Sequence, residues 1–366
     1  MAFKTASESA SMSLLPVYGR NKTEYVFWDA IRLSDIMREY SGLEYQKHLG
    51  DGRTFSVDLH RETSTDEAEA KLVAVKTARL YASSHTSDSP RVDLFALLME
   101  IQVLQYEPLQ MHPNIIDVLG MDWMVTDGTP APRLIVEYAQ FGTMDEYLQS
   151  HSVGIYDKIN LCFDIASGLE MVHRCGVVHC DMKLPNTLVF EGEGRRVAKI
   201  SDFGSALTKD DLEAGRNYRG TPAYYAPELT KDVDLALEDL RKCDVFAFGL
   251  CMWEILKNGL PYKESEPTTA QEPTILGAGR PLLEMFDIFL ESVLGYVPPL
   301  PIGSDAVPVS VTDTGKLKAV TGDPISLPGA FRKLVHHTIH PVAGERYTMN
   351  EIVKILQRSV PKYNKS

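Results

Sequence analysis

Cysteine is scarce in this chain of 366 residues: there are five, Cys162, Cys175, Cys180, Cys243 and Cys251. No two stand at metal-ligand spacing, and an odd number in a chain this long is not a disulfide framework. A reducing, intracellular compartment, cytoplasmic or nuclear, is therefore expected. Positive charge is also in short supply, with 37 Lys and Arg against 50 Asp and Glu and a net charge of -13. Binding to a nucleic-acid backbone needs clustered cations, so no nucleic-acid partner is expected. Long apolar runs are missing as well. The most apolar stretch, Val245 to Leu256, is about twelve residues with Glu254 near its end, too short for a membrane span. The first residues lack the apolar core of a signal peptide, Ala2 departs from the N-myristoylation pattern, and the last six residues, Pro-Lys-Tyr-Asn-Lys-Ser, form no prenylation box.

With 44% hydrophobic and 24% charged residues the chain reads as globular, and its length exceeds the usual size of one hydrophobic core, so two lobes are expected. The stretch at residues 178–204 organises the rest. Two short apolar strands, Leu188 to Phe190 and Val197 to Ile200, flank a glycine-containing turn and read as a hairpin. Asp181, Lys183 and Asn186 precede its first strand and Asp202 follows its second, so four polar groups converge at one end. Such a cluster suits phosphoryl transfer, in which a protein mainly positions groups and neutralises charge. A polar loop between two core strands would explain the hairpin but not this order of Asp, Lys, Asn and Asp.

The stretch resembles the catalytic and magnesium loops of eukaryotic protein kinases of the serine/threonine type. His179-Cys180-Asp181 stands for His-Arg-Asp with Cys in place of Arg, Asn186 lies five residues on, and Asp202-Phe203-Gly204 matches Asp-Phe-Gly. The resemblance implies an α+β, bilobal kinase fold, with a small mostly β N-lobe at about 44–138 and a larger mostly α C-lobe at about 142–359. Residues 1–43, which carry Trp28, Ile31, Ile36, Met37 and Tyr40 at partly helical spacing, read as an N-terminal extension packed on the neighbouring lobe or as a regulatory or docking segment. Residues 264–328, rich in Pro, Thr, Ser and Gly, match no family signature and read as an insert with one apolar helical patch, Leu282 to Val293.

Other positions fit the same resemblance. Leu49, Gly50 and Gly52 resemble the start of the glycine-rich loop, where missing side chains let backbone amides approach phosphates. Phe55 stands where a third glycine belongs, and an aromatic at the loop tip could cap the nucleotide. Lys76, in a Val-Ala-Val-Lys strand, implies the phosphate-anchoring lysine, paired with Glu100 on a helix from about Val92 to Tyr106. Val136 would be a small residue at the rear of an adenine pocket, with the backbone of Glu137 and Ala139 bonding the base and Val57, Ala74 and Leu188 walling it.

From Tyr156 to Arg174 the apolar positions follow helical spacing and lead into the catalytic loop. The run Gly220 to Glu228 resembles the end of an activation segment, with Arg346 placed to pair with Glu228. Thr221 would bridge Asp181 and Lys183, and with Lys183 it implies serine/threonine specificity. The helix from Asp244 resembles the family's central hydrophobic helix, whose leading carboxylate braces the catalytic-loop backbone, though Asp244 could instead be a plain N-cap.

The resemblance thus implies an ATP-dependent serine/threonine protein kinase. In it Asp181 would orient the substrate hydroxyl, Lys183 would steady the phosphoryl group, and Asn186 and Asp202 would hold Mg2+. Its partners would be proteins with Ser or Thr acceptors, and the sequence leaves the oligomeric state open. A pseudokinase scaffold could keep this fold without turnover. A small-molecule phosphotransferase should lack the Thr221 to Glu228 segment and its Arg346 partner. With Cys180 where relatives carry Arg, and only Ser205, Thr208 and Tyr218 as acceptors between Gly204 and Gly220, activity is expected not to depend on phosphorylation of the segment.

Overall fold

A computed structural model of the protein describes residues 42–52, 55–63, 71–78, 80–81, 91–92, 94–126, 129–231, 234–260, 311–312, 316–317 and 327–359. The expected extension, apart from Gly42 and Leu43, lies outside the described residues. So does the helical patch at 282–293.

The chain forms two compact units, one running to Gln140 and including Asp202–Gly204, the other comprising Phe141–Ser201 and the residues from Ser205 onward. In the first, strands β1 (Leu43–Asp51), β2 (Phe55–Glu62), β3 (Leu72–Ala78), β4 (Val118–Thr126) and β5 (Thr129–Glu137) form an antiparallel sheet in the order β1-β2-β3-β5-β4. Pro130 and Pro132 sit inside β5 without breaking it. The ladder to β3 begins only at Arg133, so the missing N–H groups interrupt no pairing on that side.

Paired residues of a ladder share a face, as do residues two apart along a strand. One face of the sheet therefore carries Val73, Val75 and Ile135, buried together with Leu43 and Leu119 against them. The other carries Phe55, Val57, Ala74, Lys76 and Val136. Helix α1 (Leu94–Gln105) buries Leu97, Ile101 and Leu104 and holds Glu100 among them.

The second unit is mostly helical. It contains α2 (Met144–Ser150), α3 (Ile155–Arg174), the hairpin β6–β7 (Thr187–Glu191 and Arg196–Ile200), a single turn α4 (Lys209–Glu213), α5 (Leu237–Leu256), α6 (Leu327–Thr338) and α7 (Met349–Ser359). Every residue of α5 from Cys243 to Leu256 is buried, as expected of a helix apolar all round at the centre of a large domain. Gly249 permits the close approach of α6: a Cβ there would stand 2.5 Å from Thr338 Oγ1. The α5 C-terminus is closed by buried Lys158, whose Nζ donates to Leu256 O at 3.0 Å and Asn258 Oδ1 at 2.6 Å. Helix α5 begins at Leu237 rather than Asp244. Residues 237–242 continue the helix, with acidic side chains in its first turn and Asp239 Oδ2 accepting the Ala236 N–H at 3.1 Å. Asp244 therefore lies inside the helix and is not its cap.

Candidate active site

In the second unit the site is built on the segment between α3 and the hairpin. Asp244, fully buried, accepts the backbone N–H of His179 on Oδ2 at 2.8 Å and that of Cys180 on Oδ1 at 2.9 Å. These bonds hold Cys180 at φ 67°, a left-handed conformation that a residue with a Cβ adopts only when its surroundings fix it. His173 also reaches Asp244 Oδ2, at 2.9 Å. The ring of His179 meets the Asp181 N–H with Nδ1 at 3.2 Å and the Ser201 carbonyl with Nε2 at 3.1 Å. With a backbone partner at each ring nitrogen, the side chain bridges two backbone segments.

On this base Asp181, Lys183 and Thr221 form a closed triangle. Lys183 Nζ donates to Asp181 Oδ2 and to Thr221 Oγ1, both at 2.9 Å, and the Thr221 hydroxyl donates to Asp181 Oδ1 at 2.6 Å. The Thr221 N–H adds a further bond to Oδ1 at 2.8 Å. Asn186 directs its amide nitrogen at the Asp181 carbonyl, 2.7 Å, and at Oδ2, 3.0 Å. Burial pushes the Asp181 carboxyl up, but the bonds from Lys183 and Thr221 outweigh it and hold the group below its ordinary range. Asn186 O also accepts the N–H and hydroxyl of Ser201, at 2.9 and 3.0 Å, which ties the two ends of the hairpin together.

The segment leading to Thr221 is threaded tightly. A Cβ at Gly220 would stand 2.1 Å from the Cys180 carbonyl oxygen, so only glycine fits. Tyr225 donates to Gly220 O at 3.0 Å and meets Tyr218 edge-on at 5.5 Å. Burial, followed by the negative charge of Asp244, pushes the Tyr218 hydroxyl well above its usual range. Thr208 caps α4 through a reciprocal box with Asp211. Of the nearby cations, Lys209 pairs with Glu213 at 3.5 Å and Arg216 with Asp211 at 3.3 Å. At the end of the segment Arg346 and Glu228 form a bidentate pair at 2.5 and 2.9 Å, with the Arg346 side chain fully buried.

The first unit holds a second cluster. Lys76 Nζ meets Glu100 Oε1 at 2.5 Å and Asp202 Oδ1 at 3.6 Å. Burial lowers the Lys76 pKa, but the charges of Glu100 and Asp202 overcome it and hold the ammonium above its ordinary value. Burial likewise pushes Glu100 up, with Lys76 pulling against it, and Glu100 Oε2 has no hydrogen-bond partner among the described residues. Asp202 adopts φ 65° and is 41% exposed. Val57, Ala74 and Val136 share the Lys76 face of the sheet, while Leu49 and Gly50 stand at a bulge in β1. Glu137 commits its N–H to Asp117 O at 3.1 Å, Ala139 is buried, and Leu188, in the other unit, is half-buried beside Thr143. Phe55 departs from expectation. It is the first residue of β2, 3% exposed and turned under the sheet, not a cap at the loop tip. The strand period places it on the Lys76 face, two residues from Val57.

Several residues that shape the site escaped the sequence reading. Asp164 on α3 is buried in a two-pronged pair with Arg195, at 2.6 and 2.8 Å, and accepts the Ala198 N–H at 3.0 Å. A carboxylate within an otherwise buried helix face was its only signal. The Thr208-x-x-Asp211 spacing is a capping-box signature, and it would have predicted α4.

A model of the protein kinase domain matches residues 43–355, and the chain belongs to that family. It is 28% identical over 222 residues to the serine/threonine/tyrosine-protein kinase HT1 of Arabidopsis thaliana, covering 60% of this chain and 53% of that protein. It is 33% identical over 154 residues to mitogen-activated protein kinase kinase kinase 13-A of Xenopus laevis, and 30% identical over 154 residues to mitogen-activated protein kinase kinase kinase 12 of Rattus norvegicus. Those two matches cover 42% of this chain and 15% and 16% of the relatives. The chain thus spans about half the length of the first of these curated relatives, 53%, and far less of the others. Among the described residues, no helix is long and apolar enough to cross a membrane.

Proposed function

We propose that the chain is an ATP-dependent protein kinase that transfers the γ-phosphoryl group to serine and threonine hydroxyls of proteins, with residues 44–359 as the transferring domain. The observation that carries this reading is the triangle of Asp181, Lys183 and Thr221. A carboxylate held below its ordinary pKa by two side-chain donors stays ionised at neutral pH and can accept a hydrogen bond from an incoming hydroxyl. Lys183, already aimed at that carboxylate, would steady the negative charge of the moving phosphoryl group. Thr221 would act as a positioning residue by fixing both partners, which favours serine/threonine over tyrosine acceptors. Lys76, kept protonated by Glu100, would grip the nucleotide phosphates. The apolar positions Leu49, Val57, Ala74, Val136 and Leu188 would face the base, and the backbone of Glu137 and Ala139 would bond its edge. Because the Glu137 N–H already serves Asp117, that contact would use the Glu137 carbonyl.

The family generally uses ATP with Mg2+, and the chemistry of Asn186 and of Asp202, each in its own unit, suits such an ion. Asn186 turns its amide nitrogen to Asp181, which leaves its oxygen as the acceptor, and Asp202 supplies a half-exposed carboxylate. Hard oxygens in small number, completed by phosphates and water, suit Mg2+. Bound with the phosphates, the ion would screen the charge on them. The five cysteines are all free, four of them buried, which supports a reducing, intracellular setting.

The Phe55 ring, whose centroid lies 4.7 Å from Lys76 Nζ, favours a second reading, an ATP-binding pseudokinase scaffold. Incubating the purified protein with ATP, Mg2+ and a degenerate peptide library, followed by phosphoamino-acid analysis, separates the two. Phosphoserine and phosphothreonine are expected. Phosphotyrosine alone would overturn the specificity, and ATP-dependent stabilisation without transfer would favour the scaffold.

A further inference from the structure

The glycine-rich loop carries a contact that its pattern does not foresee. In the β2–β3 register Val57 pairs with Lys76 and Phe55 with Ala78, so the Phe55 ring projects from the face expected to receive the nucleotide. Lys76 Nζ lies 4.7 Å from the ring centroid, within the roughly 6 Å reach of a cation–π contact. The other ammonium contacts go to Glu100 at 2.5 Å and Asp202 at 3.6 Å. Gly52, whose amide would be offered to phosphates, donates its N–H to the Phe55 carbonyl at 2.7 Å. With glycine at position 55 the ammonium would have no ring on it. With phenylalanine, an apolar body stands where an anion would approach.

We propose that Phe55 occupies the phosphate end of the nucleotide site and sets its selectivity, so that the ring must leave Lys76 before nucleotide phosphates can reach the ammonium. The site would then hold the nucleoside part of its ligand at full strength and the phosphate part at reduced strength. This rests on the nucleotide-site reading above and adds a residue outside the family's functional set. The ring competes only with groups that seek Lys76, so its effect belongs to the phosphates and not to the base.

The test is calorimetric titration of the full chain, Phe55→Gly and Phe55→Leu with adenosine, ADP and ATP, each with Mg2+. Leucine keeps the apolar bulk and removes the aromatic face. ATP affinity is expected to rise by about tenfold to thirtyfold in Phe55→Gly, the size of a desolvated cation–π contact. A smaller rise is expected in Phe55→Leu and an intermediate one for ADP, with adenosine affinity unchanged in both variants. Should Phe55→Gly fail to fold, the Leu variant carries the comparison, with its melting temperature recorded beside the affinities. Unchanged ATP affinity in the folded variants, or ATP and adenosine affinities that move together, would overturn the proposal while leaving the nucleotide site in place. Failure of the wild type to bind adenosine at all would overturn the nucleotide-site reading and this proposal with it.

Discussion

The two charged clusters of this molecule are built on different physical terms. In the first unit Lys76 and Glu100 meet across 24 residues of sequence, with one carboxylate oxygen unpartnered among the described residues and a ring against the ammonium. In the second, Asp181 is met by a lysine, a threonine hydroxyl and amide, and an asparagine, all resting on the Asp244 brace. A buried carboxylate held by a single cation remains under the pressure of desolvation, whereas one surrounded by donors does not. The opposite pKa directions of Glu100 and Asp181 follow from this. The first cluster is thus the adjustable one and the second the fixed one.

The strongest way to break the fixed side is at Arg346. Removing one partner of a buried pair leaves an uncompensated charge, so Arg346→Met should cost about 3 to 5 kcal/mol of stability in urea unfolding. Glu228→Gln gives the matching pH test. Because Arg346 depresses the Glu228 pKa below its ordinary 4.5, more than offsetting burial, the stabilisation is present above that pH and fades as pH falls through the lower folded-state value. The gap in urea midpoint between wild type and Glu228→Gln should be widest near neutrality and close in acid. A gap that stays constant with pH would remove the ion pair from the account.

On the adjustable side, Lys76→Met should lower phosphate transfer by at least about 100-fold, the scale of a lost charge-stabilising group. It should unfold at nearly the same temperature as wild type, because Glu100, pushed up by burial, can take a proton once its cation is gone. Large destabilisation of Lys76→Met would show that the first cluster is as rigid as the second. Asp202→Ala should abolish any tightening of ATP binding by Mg2+. Calorimetry that finds the same Mg2+ dependence in the variant would exclude Asp202 from the metal set.

What could be read from sequence divides along the same line. Within the second cluster Asp181, Lys183 and Asn186 were legible because they stand in one short stretch of chain, whereas the link to Thr221, 40 residues from Asp181, was legible only through the resemblance. The Lys76–Glu100 pair was legible only through resemblance. The direction of Phe55 was not legible at all: residue 55 reads as a loop tip until the β2–β3 register is known, and register is a property of two strands. The start of α5 was misplaced for a related reason. Its first turns, Leu237 to Lys242, are polar enough to read as loop, and they become helix because the buried run behind them is already helical.

The smallest effect concerns the activation segment. Thr208 is engaged in a helix cap, and of the segment's cations Lys209, Arg216 and Arg219 the first two pair with Glu213 and Asp211, so two of the three charges a phosphate would use are already met. Thr208→Ala should cost only about 1 kcal/mol of stability, the usual worth of a cap. Phosphatase treatment, with the segment confirmed unmodified by mass spectrometry, should leave transfer unchanged. A collapse of activity that rephosphorylation restores would reveal a switch in the segment despite Cys180.

The account rests most heavily on Asp181, and the measurement that tests it most directly is single-turnover transfer from ATP and Mg2+ to serine/threonine peptides by wild type and Asp181→Asn, with both proteins checked for equal melting temperature. Transfer by the wild type and a rate at least about 100-fold lower in the variant is the predicted result. Equal turnover in the two proteins would contradict it.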